Sequence, residues 1–235
     1  MDKHEQLASF LQTHPDRVGK VVDVDRLNDC LLAFDFTENN QELTANEVSD
    51  IPRFSAWVNH KLAESGCRYG IGGYFEHRTL YSRSSLFNTP DAEPRRLHLG
   101  IDIWGPAGTP VYAPLAGKVH SFQDNNNFGD YGPTIILIHD LKGLTLYSLY
   151  GHLNRPALRN LAVGQCITLN QPIACFGRED ENGQWPPHLH FQLMFDMQGL
   201  AGDYPGVCRY SEKGSYLENI PDPDLILQFS KATIM

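Results

Sequence analysis

The chain has no apolar run approaching the roughly 18–20 residues of a membrane-spanning helix, which excludes a transmembrane helix. The segment MDKHEQLASFLQTHPDRVGK also lacks a run long enough for a signal-peptide core, and the expectation from it is a cytoplasmic protein. No CxxC pair occurs. The five cysteines, Cys30, Cys67, Cys166, Cys175 and Cys208, therefore fit reduced thiols better than a disulfide framework or a structural zinc knuckle. Basic residues are scarce: 19 Lys and Arg stand against 28 Asp and Glu, for a net charge of −9. No basic stripe is available to neutralise phosphates, which argues against a nucleic-acid partner. The same charge argues against a protein that clings to anionic wall polymers or membranes. Repeats at solenoid periods and low-complexity segments are absent as well.

What is present is ordinary globular material. With 41% hydrophobic and 20% charged residues among 235, the chain fits one medium domain, or one domain with an appended segment. HEQLASFLQTHP and DIPRFSAWVNHKLAESG carry apolar residues at helical spacing. Asp50 is placed to cap the second helix, with Pro52 in its first turn and Gly66 as its stop. Between them, VVDVDRLNDCLLAFDFT suggests a strand or two around a polar break. From His98 to about Leu200, short apolar or alternating runs are separated by Gly, Pro, Asn and Asp, the pattern of an all-β core. The tail PDPDLILQFSKATIM reads as an extended turn followed by a short helix or strand.

Three local patterns carry chemistry: His98-x-x-x-Asp102, Tyr150-x-His152 and His188-x-His190. In a strand, residues i and i+2 project to one face, so His188 and His190 are expected to point into one site. Trp185-Pro186-Pro187 stiffens the approach to that strand. Zinc accepts imidazole nitrogen and carboxylate oxygen, and a catalytic site keeps one position for water. A His/Asp/His set with a fourth, open position meets that description. His139, followed by Asp140, reads as a turn residue after TIILI, and His4, His14, His60, His77 and His120 as surface or structural histidines.

HLGIDIWGPAGTPVYAPLAGKV resembles the opening of the lysostaphin/LytM-type zinc metallopeptidases, YSLYGHL their YxHL element, and GQWPPHLHFQL their terminal HLHF element. The resemblance covers residues 95–200, with all three elements in the family's order. It implies a mainly β fold, with a compact antiparallel β-sheet core and a groove across the sheet. It also implies zinc on His98, Asp102 and His190, with His152 and His188 as the catalytic pair on the water side. The expected organisation is an N-terminal α/β extension over 1–94, a zinc metallopeptidase-like β domain over 95–200, and a C-terminal extension over 201–235.

The flanking text GIGGYFEHRTLYSRSSLF and GLAGDYPGVCRYSE lies outside that common core. It resembles the peptidase-like segment of fusion proteins that also carry a kinase and an aminotransferase. The leading expectation is a zinc-dependent hydrolase of peptide or amide bonds, of the peptidoglycan endopeptidase type. The alternatives are a cytoplasmic zinc enzyme for a small amino- or phospho-compound, partnered by a kinase or aminotransferase, and a non-catalytic metal-binding module. Glu76, Arg78 and Tyr81 alternate around the glycine-rich stretch, and analogy with inhibitory or substrate-shaping segments in related enzymes makes them candidates to reach the groove. The favoured reading for them is a solvent-facing polar row on an added edge strand. Arg95 and Arg96 are read as a solvated face that an anionic substrate group could also use, and Cys208 as buried filler.

Overall fold

The computed structural model describes residues 1–25, 28–88 and 92–235. In chain order its elements are α1 (Lys3–Thr13), β1 (Cys30–Phe34), α2 (Ala45–Ser49), α3 (Ile51–Ser65) and β2 (Tyr69–Gly72). There follow β3 (Leu97–His98), β4 (Ile101–Trp104), β5 (Pro110–Tyr112), β6 (Gly117–Asn125), β7 (Gly132–Leu141) and β8 (Leu144–Gly151). The chain ends with β9 (Cys166–Ile167), β10 (Pro172–Cys175), β11 (His188–Met194), β12 (Val207–Cys208), α4 (Lys213–Asn219), α5 (Asp224–Leu227) and β13 (Thr233–Ile234). The fold is mainly β. Among the described residues, no helix is long and apolar enough to cross a membrane.

One nine-stranded sheet runs in the order β13-β1-β2-β4-β11-β8-β7-β6-β9. It is antiparallel from β2 to β9, while β13 and β2 flank β1 in parallel. Strands from the first 94 residues and from the tail therefore extend the same sheet that holds the histidine patterns. The expected polar break before β1 includes Arg26 and Leu27, which lie outside the described residues.

Local chemistry fixes the helices. Asp50 caps α3 by accepting from the Arg53 amide, Pro52 sits in the first turn, and Gly66 ends the helix at φ 68°. In α1, Asp2 and Glu5 form a reciprocal capping box. Leu7, Phe10 and Leu11 lie on one stripe of α1 and pack on the back of the sheet with Phe191, Leu193 and Phe195.

Strand alternation divides the two faces. Leu189, Phe191 and Leu193 of β11 join Ile101 and Ile103 of β4 and Ile135 and Leu137 of β7 in the main core. Full burial of each such side chain contributes roughly 1.5–3 kcal/mol. His188, His190 and Gln192 take the opposite face, which is covered by a second cluster containing Phe34, Phe36, Phe54, Val58, Trp104 and Trp185.

Two expectations are corrected here. Cys30 and Cys67 form a disulfide, their Cα atoms 4.9 Å apart at the adjoining starts of β1 and β2. Cys166, Cys175 and Cys208 are free thiols, with Cys208 buried as expected. The bond depends on strand pairing across 37 residues of sequence, which cysteine spacing alone does not show. His139 is not a turn residue. It lies inside β7, 1% exposed, where its Nδ1–H donates to the Ala116 carbonyl (3.0 Å) and its Nε2 accepts from the Ser148 hydroxyl (2.7 Å).

Candidate metal and hydrolytic site

β4 and β11 pair with His190 opposite Asp102 and His188 opposite Trp104. β3 delivers His98 from the side. The three atoms His98 Nε2, Asp102 Oδ1 and His190 Nδ1 stand 2.9, 3.0 and 3.2 Å from one another. Gly100 makes this approach possible, since a Cβ there would lie 2.7 Å from the His190 ring and 2.7 Å from the Phe191 carbonyl. All three side chains are buried.

Their hydrogen bonds show what these atoms offer. His98 Nδ1 lies 2.9 Å from the Gly73 carbonyl, which only accepts, so Nδ1 carries the proton and Nε2 a bare lone pair. Gln192 Nε2 donates to the Pro205 carbonyl, which turns Gln192 Oε1 toward His190 Nε2 at 2.9 Å. His190 Nε2 is therefore the donor, and its Nδ1 faces Asp102 Oδ1 and His98 Nε2. Burial and the neighbouring Arg78 push His98 down to about 3, so it stays neutral. Burial alone would raise Asp102, but His98 and Arg78 hold it well below the usual carboxylate range.

Three atoms able to ligate a metal thus converge on one point. Among the described residues these are the ones grouped for holding a metal ion. A tetrahedral zinc with bonds near 2.0–2.1 Å places its ligands about 3.3 Å apart, close to the separations here. The donor set fits zinc.

The remaining two histidines adjoin this set. His152 Nδ1 donates to the Asn182 carbonyl (2.9 Å) and His188 Nδ1 to the Pro186 carbonyl (2.8 Å), so both present bare Nε2 atoms. Their ring centroids are 4.1 Å apart, and His188 stacks on Trp104 at 3.9 Å and 12°. Burial lowers His188 to about 4, and burial together with His188 lowers His152 well below its ordinary value. His152 holds a left-handed backbone at φ 61°, unusual for a residue with a side chain and often kept at functional sites. Gly151 before it admits the Tyr131 ring, which a Cβ would meet at 2.5 Å.

All five expected residues meet in one place, and four of them line a cavity of about 330 Å³. Leu80, Tyr81, Leu86 and Phe87 form one wall, with Tyr131, Leu200, Tyr204 and Val207 among the other lining residues. Arg95 sits at this cavity with its guanidinium over the Phe87 ring, while Arg96 is bound to Asn88.

The expected solvent-facing polar row is corrected. β2 is interior to the sheet, between β1 and β4, and the chain beyond it folds over the site. Arg78 is 1% exposed, with Nε on Glu76, and Nη1 on Asp102 Oδ2 and the Tyr81 hydroxyl. Tyr131 was not legible at all: its hydroxyl lies 3.4 Å from His190 Nε2, and Tyr131-Gly132 bears no pattern that marks it.

Residues 96–201 match the family model described as Peptidase family M23. The uncharacterized lipoprotein YgeR of Escherichia coli (strain K12) is 35% identical over 96 residues, covering 41% of this chain and 34% of the relative. The L-Ala–D-Glu endopeptidase of Bacillus subtilis (strain 168) is 26% identical over 162 residues, covering 66% of this chain and 46% of the relative. The chain thus spans less than half the length of either. The catalytic domain of the antimicrobial peptidase lysostaphin from Staphylococcus simulans is similar at 23% identity and a TM-score of 0.39, over 69% of this chain and 96% of that one.

Proposed function

We propose that this chain, whose residues 96–201 match Peptidase family M23, is a zinc-dependent hydrolase of peptide or amide bonds, of the peptidoglycan endopeptidase type. The observation that carries the reading is the convergence of three potential donor atoms, on His98, Asp102 and His190, beside His152 and His188 with Nε2 free. The named activity of the Bacillus subtilis relative supports the peptidoglycan class. None of the three relatives named above is described as a kinase or aminotransferase fusion, and no such partner enters the proposal.

Zinc at His98, Asp102 and His190 would acidify a water and polarise the scissile carbonyl. The chain's own residues do the rest. His152 and His188 are held with Nε2 free, so either accepts the proton that the attacking water gives up. Two rings 4.1 Å apart cannot both become cations cheaply, so the pair takes up one proton rather than two. Once protonated, that ring donates to the oxygen gaining charge or to the departing nitrogen. Backbone carbonyls of Asn182 and Pro186 fix both rings in advance.

The test is a cleavage screen of purified peptidoglycan stem peptides beside a panel of small amides. The expected outcome is cleavage of stem peptides by the zinc-loaded protein, and a drop of about 10²–10⁴ in kcat for His188→Ala with the metal retained. Cleavage of small amides alone would remove the peptidoglycan class, and equal activity in His188→Ala would remove the assigned role of that residue.

A further inference from the structure

Asp102 is a two-faced carboxylate. Oδ1 meets His98 and His190, whereas Oδ2 is bound by Arg78 Nη1. Arg78 is itself held from behind. Its Nε donates to Glu76 Oε2 at 2.7 Å, its Nη1 also donates to the Tyr81 hydroxyl at 3.1 Å, and its guanidinium lies over the Phe36 ring at 5.1 Å. Glu76 is fixed in turn, accepting at Oε1 from the Phe36 amide (3.1 Å). Gly72, opposite Asp102 in the sheet, provides the room: a Cβ there would lie 2.5 Å from Arg78 Nη2.

We infer that Arg78, braced by Glu76, is the positioning residue of the metal site, pinning Oδ2 so that Asp102 offers Oδ1 alone. The inference rests on the metal reading of His98, Asp102 and His190. A carboxylate with both oxygens free can chelate an ion through both or swing away from it. One oxygen anchored by a charge-assisted hydrogen bond leaves a single fixed donor, and a coordination position stays open for water. Before a metal binds, Arg78 also balances the buried carboxylate. The clamp comes from the segment after β2, outside the residues that match the family model, so in this chain the N-terminal part completes the site.

The experiment compares wild type, Arg78→Met, Arg78→Lys and Glu76→Gln in the full chain. Zinc affinity is read by competition with a chromophoric chelator, and ligand geometry by the visible spectrum of the cobalt(II) form. Circular dichroism confirms folding. Arg78→Met is expected to weaken zinc binding about 10- to 100-fold, the usual cost of losing an outer partner of a ligand, and to alter the cobalt spectrum. Arg78→Lys, which keeps the charge, recovers part of both, and Glu76→Gln shifts both in the same direction as Arg78→Met by less. A folded Arg78→Met with wild-type affinity and spectrum overturns the clamp. If that variant does not fold, an unchanged Glu76→Gln overturns it instead. Wild type that binds neither ion overturns the metal reading and the clamp with it, whereas normal binding by wild type and Arg78→Met together overturns the clamp alone.

Discussion

Each histidine around the cleft has one ring nitrogen committed to an acceptor, and this decides its chemistry more than its position in the sequence does. Gly73, Asn182 and Pro186 carbonyls and the Gln192 amide oxygen each hold one ring nitrogen, turning the other toward the site. Burial then keeps His98, His152 and His188 neutral. The same physics acts at His139, far from the cleft, where burial lowers the ring to about 4 from an ordinary 6.5. Between those values the unfolded chain binds a proton that the folded chain refuses, so stability is full above pH 6.5 and falls as pH drops toward 4. The expected loss from this one residue is about 3 kcal/mol across that window. Urea unfolding at a series of pH values checks it, with His139→Gln expected to show a shallower decline than wild type. Equal slopes would contradict the assignment.

At the scale of elements, the site is a consequence of β alternation and two close approaches. HLH on β11 puts two imidazoles on one face, and the pairing of β11 with β4 brings Asp102 and Trp104 opposite them. The shared face of His188 and His190 was legible in the sequence, as were the Asp50 cap and Gly66 stop of α3, because strand period and capping are local rules, whereas the β4–β11 pairing was not. Arg78 was misjudged because a polar residue near a glycine-rich strand looks solvated until the sheet order is known. The interior place of β2 depends on β1 and β4, which only the fold supplies. Tyr131 and the Cys30–Cys67 bond were illegible for the same reason: each depends on contacts between distant segments. Gly100 tests the element geometry. Gly100→Ala places a methyl 2.7 Å from the His190 ring and the Phe191 carbonyl, so His190 or the β4–β11 pairing must move. The expected cost is about 1–3 kcal/mol of stability by denaturant unfolding, together with weakened zinc binding. Wild-type stability and affinity in that variant would show that the tight fit is not needed.

The whole molecule is one sheet with two differently used faces. α1 seals the apolar back, and Arg78, Leu80, Tyr81, Leu86 and Phe87, after β2, line the front beside the ligand set. The N-terminal residues thus serve the site as well as the core, since Arg78 reaches Asp102 from a segment that the sequence marks as an extension. The disulfide ties β1 to the start of β2 within this arrangement. Above these details stands one proposal: three potential donor atoms at 2.9–3.2 Å are placed to share one cation. Elemental analysis of protein purified without chelators meets it head on. The expected result is one zinc per chain in wild type and in His188→Ala, and none in His98→Ala or Asp102→Ala. Wild-type protein free of stoichiometric metal, and unable to take up zinc when it is supplied, would contradict it.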